Sequence, residues 1–347
     1  MKFLICPDSF KGTLTAIEAA QAMKEAVDDV IPTARYVLLP VGDGGEGTAD
    51  AVVASLEGRE KITAVECDTV DPLHRPITAT YHLIGEGERQ TAFIESAAAS
   101  GLTLVSPEER DIMRADTFGT GLLVADAFGR GVRRFMIGMG GTATCDGGEG
   151  AWRAMSGKGV RDIDVTLLCD VDNPLCGPSG AAAVFGPQKG ADASQIPLLD
   201  GKLRELAARY REISGVDILA LSGAGAAGGL AGMFMALYGA RAVSGIAKVL
   251  ELLDFDSCLE DTDLVITGEG RVDATTLSGK APKGILDAAA RRGVPVAVIG
   301  GRVSDETLLR ATGFSHIVAA TPPDADPGEA PARYLKEALK RLLTRII

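Results

Sequence analysis

Histidine is nearly missing from this chain. His74, His82 and His316 are the only three in 347 residues, and they form no HExxH or other paired spacing. A histidine-ligated metal centre and a nucleophile–His–acid triad therefore have little to build on, and each histidine reads as structural or solvated. Aromatic residues make up 5%, with a single tryptophan, which argues against a sandwich of aromatic strands. The six cysteines, Cys6, Cys67, Cys145, Cys169, Cys176 and Cys258, include no CxxC pair. They read as reduced thiols, so a cytoplasmic setting is expected. The apolar run before Pro7 is too short for a signal-peptide core, which points the same way. Positive charge is in deficit, with 35 Lys and Arg against 47 Asp and Glu for a net charge of −12. That excludes nucleic acid as an expected partner, because phosphate-backbone binding needs a basic face. An anionic small molecule stays possible if Lys, Arg and helix N-termini hold it locally.

Long apolar runs are also lacking. Residues 218–240 carry no charge and match a bilayer span in length. The segment contains GAGAAGGLAG and has no flanking basic cluster, so it reads as a buried helix behind a glycine loop, and no membrane association is expected.

Glycine, in contrast, is abundant, with 43 residues alongside 46% apolar and 24% charged residues. This is a globular composition, and its length predicts about two domains. Many glycines with few aromatics suggest an α/β enzyme with tight strand-to-helix turns. Strand-like runs at 3–6, 35–40, 264–267, 295–299 and 316–320 are each followed by a turn or a helical pattern. Thr15 and Glu18 form a capping box that starts a helix, residues 287–292 close a helix before Gly293, and 334–343 are amphipathic. Five parallel strands assembled from both chain ends would make a flavodoxin-like parallel-sheet domain, expected over 1–65 plus 258–347. Residues 62–70, 77–84 and 91–95 look like strands joined by the short turns DPLHRP and GEGER, hence antiparallel. With later strands near 134–138 and 165–169, residues 66–257 are expected to form an inserted mixed α/β domain, with the active site in the cleft between the two.

Five polar clusters follow apolar runs. PDSFKGT at 7–13 places Asp8, Ser9 and Lys11 where ligands bind in open parallel sheets. VGDGGEGTADAV at 41–52 offers Asp43 and Glu46 on a backbone that can approach an anion closely. GMGGTATCDGGEG at 138–150 superficially resembles a dinucleotide fingerprint, but Asp146-Gly147-Gly148 would break the helix that the fingerprint requires. LLCDVDNPLCGPSGAAAVFGPQKGA at 167–191 spaces Asp170 and Asp172 so that they could hold Mg²⁺ through oxygen, or simply end a strand. LVITGEGRVDATTLSGKAP at 264–282 supplies Glu269, Arg271, Asp273 and Lys280, but it is no Walker loop, because Lys280 is followed by alanine. The glycines of 223–229, Gly223 and Gly225 among them, could cradle phosphates, although close helix packing explains them equally well.

PDSFKGTL, GDGGEGTAD, GMGGTATCDGGEG, CDVDNPLCGPSGAAAVFGPQKGA, GAGAAGGL and TGEGRVD…GKAP stand in an order and spacing that resemble the class I glycerate kinase family over nearly the whole chain. The resemblance implies ATP-dependent, Mg²⁺-assisted phosphorylation of D-glycerate, with the 2-hydroxyl as the usual acceptor. Val41, Cys145 and Thr275 replace an alanine, an asparagine and a glutamine of that pattern. Thr275 keeps another small sugar acid open as substrate.

Phosphoryl transfer asks a protein mainly for positioning, charge neutralisation and a group that orients the attacking hydroxyl. Asp8, Ser9, Lys11 and Arg271 are accordingly expected to bind the substrate. Asp43 or Asp273 is expected to orient or deprotonate the hydroxyl. Lys189, Lys280, Gly223 and Gly225 are expected at the nucleotide phosphates, and Asp170 and Asp172 at Mg²⁺. A non-catalytic sugar-acid or nucleotide binding module is the competing class, and the sequence specifies no oligomeric state.

Overall fold

A computed structural model describes residues 1–346. Its strands, in chain order, are β1 (Lys2–Ile5), β2 (Arg35–Leu38), β3 (Ile62–Val70), β4 (Pro76–Ile84), β5 (Thr91–Glu95), β6 (Arg134–Gly138), β7 (Asp164–Leu168), β8 (Arg241–Val243), β9 (Leu264–Val272), β10 (Val296–Val303) and β11 (His316–Ala319). The chain divides into two compact units. The first comprises Met1–Asp43, Asp50–Glu57 and the chain from Ile246 onward, and the second comprises Gly44–Ala49 and Gly58–Gly245. The divisions fall earlier than residues 65 and 258. The β3/β4 hairpin, starting at Ile62, lies wholly in the second unit, and the chain from Ile246 already packs in the first.

In the first unit the five strands pair in parallel in the order β11-β10-β9-β1-β2. This is the flavodoxin-like order, with a switch point between β1 and β9 where connections leave in opposite directions and a crevice opens at the carboxyl ends. Phe3, Ile5, Ile266, Ala297 and Ile299 are fully buried along the sheet. Helices Ala16–Val30 and Pro331–Ile346 join the same core through Met23, Val27, Leu335 and Leu339. The Thr15/Glu18 box forms as expected: the Glu18 amide donates to Thr15 Oγ1 at 3.1 Å and the Thr15 amide to Glu18 at 2.8 Å.

β9 runs farther than the apolar pattern suggests. It continues through Gly268, Glu269, Gly270 and Arg271 to Val272, paired with β10 up to Val272 opposite Val303. Glycine makes this possible, because a Cβ on Gly268 would lie 2.3 Å from the Ile299 carbonyl and one on Gly301 would lie 2.5 Å from the Gly270 carbonyl. Residues expected on a loop are thus held on a strand.

In the second unit the order is β3-β4-β5-β6-β7-β8, antiparallel from β3 to β5 and parallel from β5 to β8. This is the mixed sheet expected, with the short β8 as an addition. The uncharged segment 218–240 contains only a nine-residue helix, Leu230–Tyr238, behind the glycine-rich turn Ala226–Gly229. Among the described residues no helix is long and apolar enough to cross a membrane.

Candidate active site

At the switch point of the first unit, the ends of three neighbouring strands converge. The chain leaving β1 stays hydrogen-bonded to β9 through the Asp8 amide and the Gly268 carbonyl, 2.9 Å, and the chain leaving β2 stays beside it through the Val41 amide and the Pro7 carbonyl, 3.0 Å. These continuations bring Asp8, Asp43 and Glu269 together around a cavity of about 300 Å³, which Ser9, Lys11, Arg271 and Lys280 also line. Strand alternation puts Glu269 and Arg271 on one face of β9, two residues apart. The tight turn after Phe10, with Gly12 at φ +79° and the Leu14 amide donating back to the Phe10 carbonyl at 3.0 Å, sets Lys11 at the rim.

The charges differ in how far they are already paired. Glu269, 7% exposed, accepts the Thr276 hydroxyl at 2.6 Å on Oε1 and faces the Lys280 ammonium at 3.2 Å on Oε2. Burial raises its pKa, while Thr276 and Lys280 oppose the rise. Arg271 is held by Asp273 Oδ2 at 2.8 Å. Lys11 and Ser9 make no side-chain hydrogen bond or ion pair among the described residues. Asp8 is 7% exposed, and its Oδ1 accepts its neighbour's amide, Ser9 N–H, at 2.6 Å. Burial pushes its pKa up to about 7, and the like charges of Asp43 and Glu269 add to the rise against the pull of the Ser9 amide and Lys11.

Asp273 stands outside the cavity lining and does structural work. Its Oδ1 accepts both the amide and the hydroxyl of Thr275, at 2.8 and 2.6 Å, capping the short helix Ala274–Leu277. Those bonds, the Thr275 hydroxyl first, hold its pKa below the usual range despite burial, so it is a weak candidate for accepting a proton.

The nucleotide and metal candidates of the second unit have internal partners. Lys189, 4% exposed, donates to Thr142 Oγ1 at 3.1 Å and to the Thr144 carbonyl at 2.7 Å. These bonds pin the loop after β6. Burial lowers its pKa to about 8. The same loop is tied by the half-buried Asp146, which accepts from the amides of Thr117, Gly148 and Gly150 at 2.9, 3.2 and 3.0 Å.

The Gly225 amide donates to the Asn173 carbonyl at 3.0 Å, and a Cβ there would lie 2.4 Å from the Pro174 carbonyl. Gly223, in the left-handed region at φ +77°, opens the turn. Close packing accounts for the glycine run. Asp170 accepts the Gly245 amide and Asp172 the Ser222 hydroxyl, each at 3.0 Å. No group of three or more His, Cys, Asp or Glu side chains arranged to hold a metal ion occurs among the described residues.

A family model described as the glycerate kinase family matches residues 3–160 and 155–347. The chain belongs to the glycerate kinase family. Among its relatives, the glycerate kinase of Bacillus subtilis (strain 168) is 38% identical, the alignment covering 100% of this chain and 98% of that protein. The glycerate 2-kinase of Escherichia coli (strain K12) is 39% identical over 88% of this chain and 86% of its own length. A crystal structure from Salmonella typhimurium LT2, assigned as a glycerate kinase 2, superposes with a TM-score of 0.81 at 37% identity, covering 100% of this chain and 97% of that one.

Within this family member, sequence reasoning found Asp8, Ser9, Lys11, Asp43, Arg271 and Lys280, and the fold brings all six to one cavity. It assigned Glu269 no role, although the two-residue spacing to Arg271 on an extended strand was the signal. The Asp-x-x-Thr pattern at Asp273 and Thr276, a capping box like that at Thr15, was the sign of its structural duty.

Proposed function

We infer that this chain transfers the γ-phosphoryl group of ATP to D-glycerate, on the 2-hydroxyl, giving 2-phosphoglycerate and ADP. The observation that carries the reading is the pocket at the β1/β9 switch point of a glycerate kinase family member. Three cationic side chains surround a cavity sized for a small molecule, and one of them, Lys11, has no hydrogen-bond or ion-pair partner among the described residues. Lys11 and Ser9 are free to receive the glycerate carboxylate and a hydroxyl. Arg271 and Lys280, pre-oriented by Asp273 and Glu269, neutralise charge on the transferring group. Lys280 is also the N-cap of the helix Ala281–Ala290 and makes no side-chain capping bond, so the positive end of that helix adds to its field.

Magnesium fits this reading as an ion carried on the nucleotide. Mg²⁺ in kinases takes one or two carboxylates plus substrate phosphates, and the acidic side chains present supply that number without an all-protein cage. When bound, it would neutralise charge on the phosphates. Asp170 and Asp172 are one such carboxylate pair. A cytoplasmic location belongs to the same reading, supported by six cysteines that form no disulfide among the described residues.

The test is ADP release from Mg-ATP and D-glycerate, followed by phosphorus NMR of the product. ADP formed only with D-glycerate, and phosphorus coupled to the proton on carbon 2, is the expected result. Coupling to the carbon 3 protons overturns the 2-hydroxyl assignment. ADP with a different sugar acid only, or ligand binding without ADP, overturns the substrate or the activity respectively.

A further inference from the structure

We propose that Asp8 is the general base of the reaction, its Oδ2 taking the proton from the attacking hydroxyl. The inference rests on the kinase reading above. It stands on a comparison of Asp8 with two other carboxylates at or beside the cavity, Glu269 and Asp273. Both oxygens of Glu269 are engaged, by Thr276 and Lys280. Both oxygens of Asp273 are engaged, by Thr275 and Arg271, and Asp273 lies outside the lining.

Asp8 uses only Oδ1, for the Ser9 amide, and Oδ2 has no hydrogen-bond donor among the described residues. The carboxyl is also fixed in place, because the Asp8 backbone remains hydrogen-bonded to Gly268 at the end of β9. An open oxygen on a rigid strand end, beside the two side chains free to hold the substrate, is the geometry a proton acceptor needs.

The surrounding charges tune it. Asp43 from the β2 end, Glu269 from β9 and burial all disfavour its ionisation, Lys11 on its own loop favours it, and its pKa of about 7 lies in the operating range. Arg271 and Lys280 also face the cavity, each paired with a carboxylate.

The step balances within the site. The acceptor oxygen forms a bond to the γ-phosphorus, and the bond from that phosphorus to the β,γ-bridging oxygen breaks. The bridging oxygen keeps the electron pair in ADP, and the hydroxyl proton passes to Asp8 Oδ2 and then to water.

The test is steady-state turnover across pH for wild type, Asp8→Asn and Asp43→Asn. Wild-type kcat/KM is expected to fall on the acidic side with a midpoint near 7. Asp8→Asn should lose ~10²–10⁴ in kcat and lose that limb. Asp43→Asn should move the limb to lower pH, since one like charge is gone. That shift is a readout a packing role would not produce, and it is available even if Asp8→Asn fails to fold. An Asp8→Asn kcat within threefold of wild type, or an Asp43→Asn limb that stays in place, overturns the assignment. Wild type that releases no ADP from ATP and D-glycerate removes the kinase reading and the base with it. Wild-type turnover with an unaffected Asp8→Asn removes the base alone.

Discussion

Two buried ionisable side chains, Asp8 and Lys189, carry opposite pH signatures. The fold raises the Asp8 pKa to about 7 from an ordinary 3.8. Its contribution to stability is therefore fully present below about pH 4 and is lost as pH rises through 7. Asp8→Asn, which keeps the shape and removes the charge, is expected to melt higher than wild type at pH 8, by roughly 2–4 °C for each kcal/mol gained, and no higher at pH 4. Calorimetry at both pH values checks this, and a higher melting point together with lost turnover would be the trade between stability and function seen at strained sites.

Lys189 is lowered to about 8 from 10.5, so its contribution is present above about pH 10.5 and is lost as pH falls through 8. Wild type should gain on Lys189→Met as pH rises across that window, by up to about 1.4 kcal/mol per pH unit, read from urea unfolding at pH 8 and 10. Asp273→Asn keeps a good N-cap but releases Arg271. Its kcat should fall several-fold with the KM for the sugar acid changed much less, a split that steady-state kinetics resolves.

At the scale of elements, the glycine turn 226–229 is a packing device. Gly228 sits at φ +65°, and a Cβ on it would lie 2.0 Å from the carbonyl of Thr144, the same oxygen that accepts from Lys189. The Gly147 amide donates back to the Gly228 carbonyl at 3.0 Å, so the two loops interlock backbone to backbone. Gly228→Ala should lose about 3 kcal/mol or more, from overpacking combined with a left-handed backbone. Thr15→Ala, which opens an exposed capping box at the head of the helix Ala16–Val30, should lose only about 1 kcal/mol. Chemical denaturation distinguishes the two. The contrast follows from surroundings: water can replace a lost cap, but nothing in a filled interior gives way to a new methyl group.

At the scale of the whole molecule, the first unit depends on both ends of the chain. β1 pairs with β9 from the far end of the chain, Phe3 opposite Leu264, and the helix Pro331–Ile346 packs its buried Leu335, Leu339 and Leu343 beside Met23 and Val27 of the helix Ala16–Val30. Lys336 and Lys340 reach Asp29 at 3.2 and 3.3 Å across the same helix pair. Exposed ion pairs add little, so the apolar contact dominates. Leu339→Ala should cost about 2–5 kcal/mol and lower hydrogen-exchange protection in β1 as much as in β10, because the five strands open as one cooperative unit.

Much was already legible in the residues. Apolar runs and their spacing determined every strand but β8, though not how far β9 continues, and the parallel and antiparallel character of the two sheets, since period and turn chemistry are local properties. Six motifs in order determined the family. The pocket side chains Asp8, Lys11, Asp43, Arg271 and Lys280 were visible as polar residues following apolar runs. Only the tertiary structure decided which of them remain free. Thr275 and Arg271 occupy Asp273, Thr276 and Lys280 occupy Glu269, and Thr142 and Thr144 occupy Lys189, whereas Oδ2 of Asp8 is left open. Some of these partners are local, but burial depends on elements far apart in sequence. Desolvation and neighbouring charge set whether an acid ionises, and both arise only when distant strand ends meet.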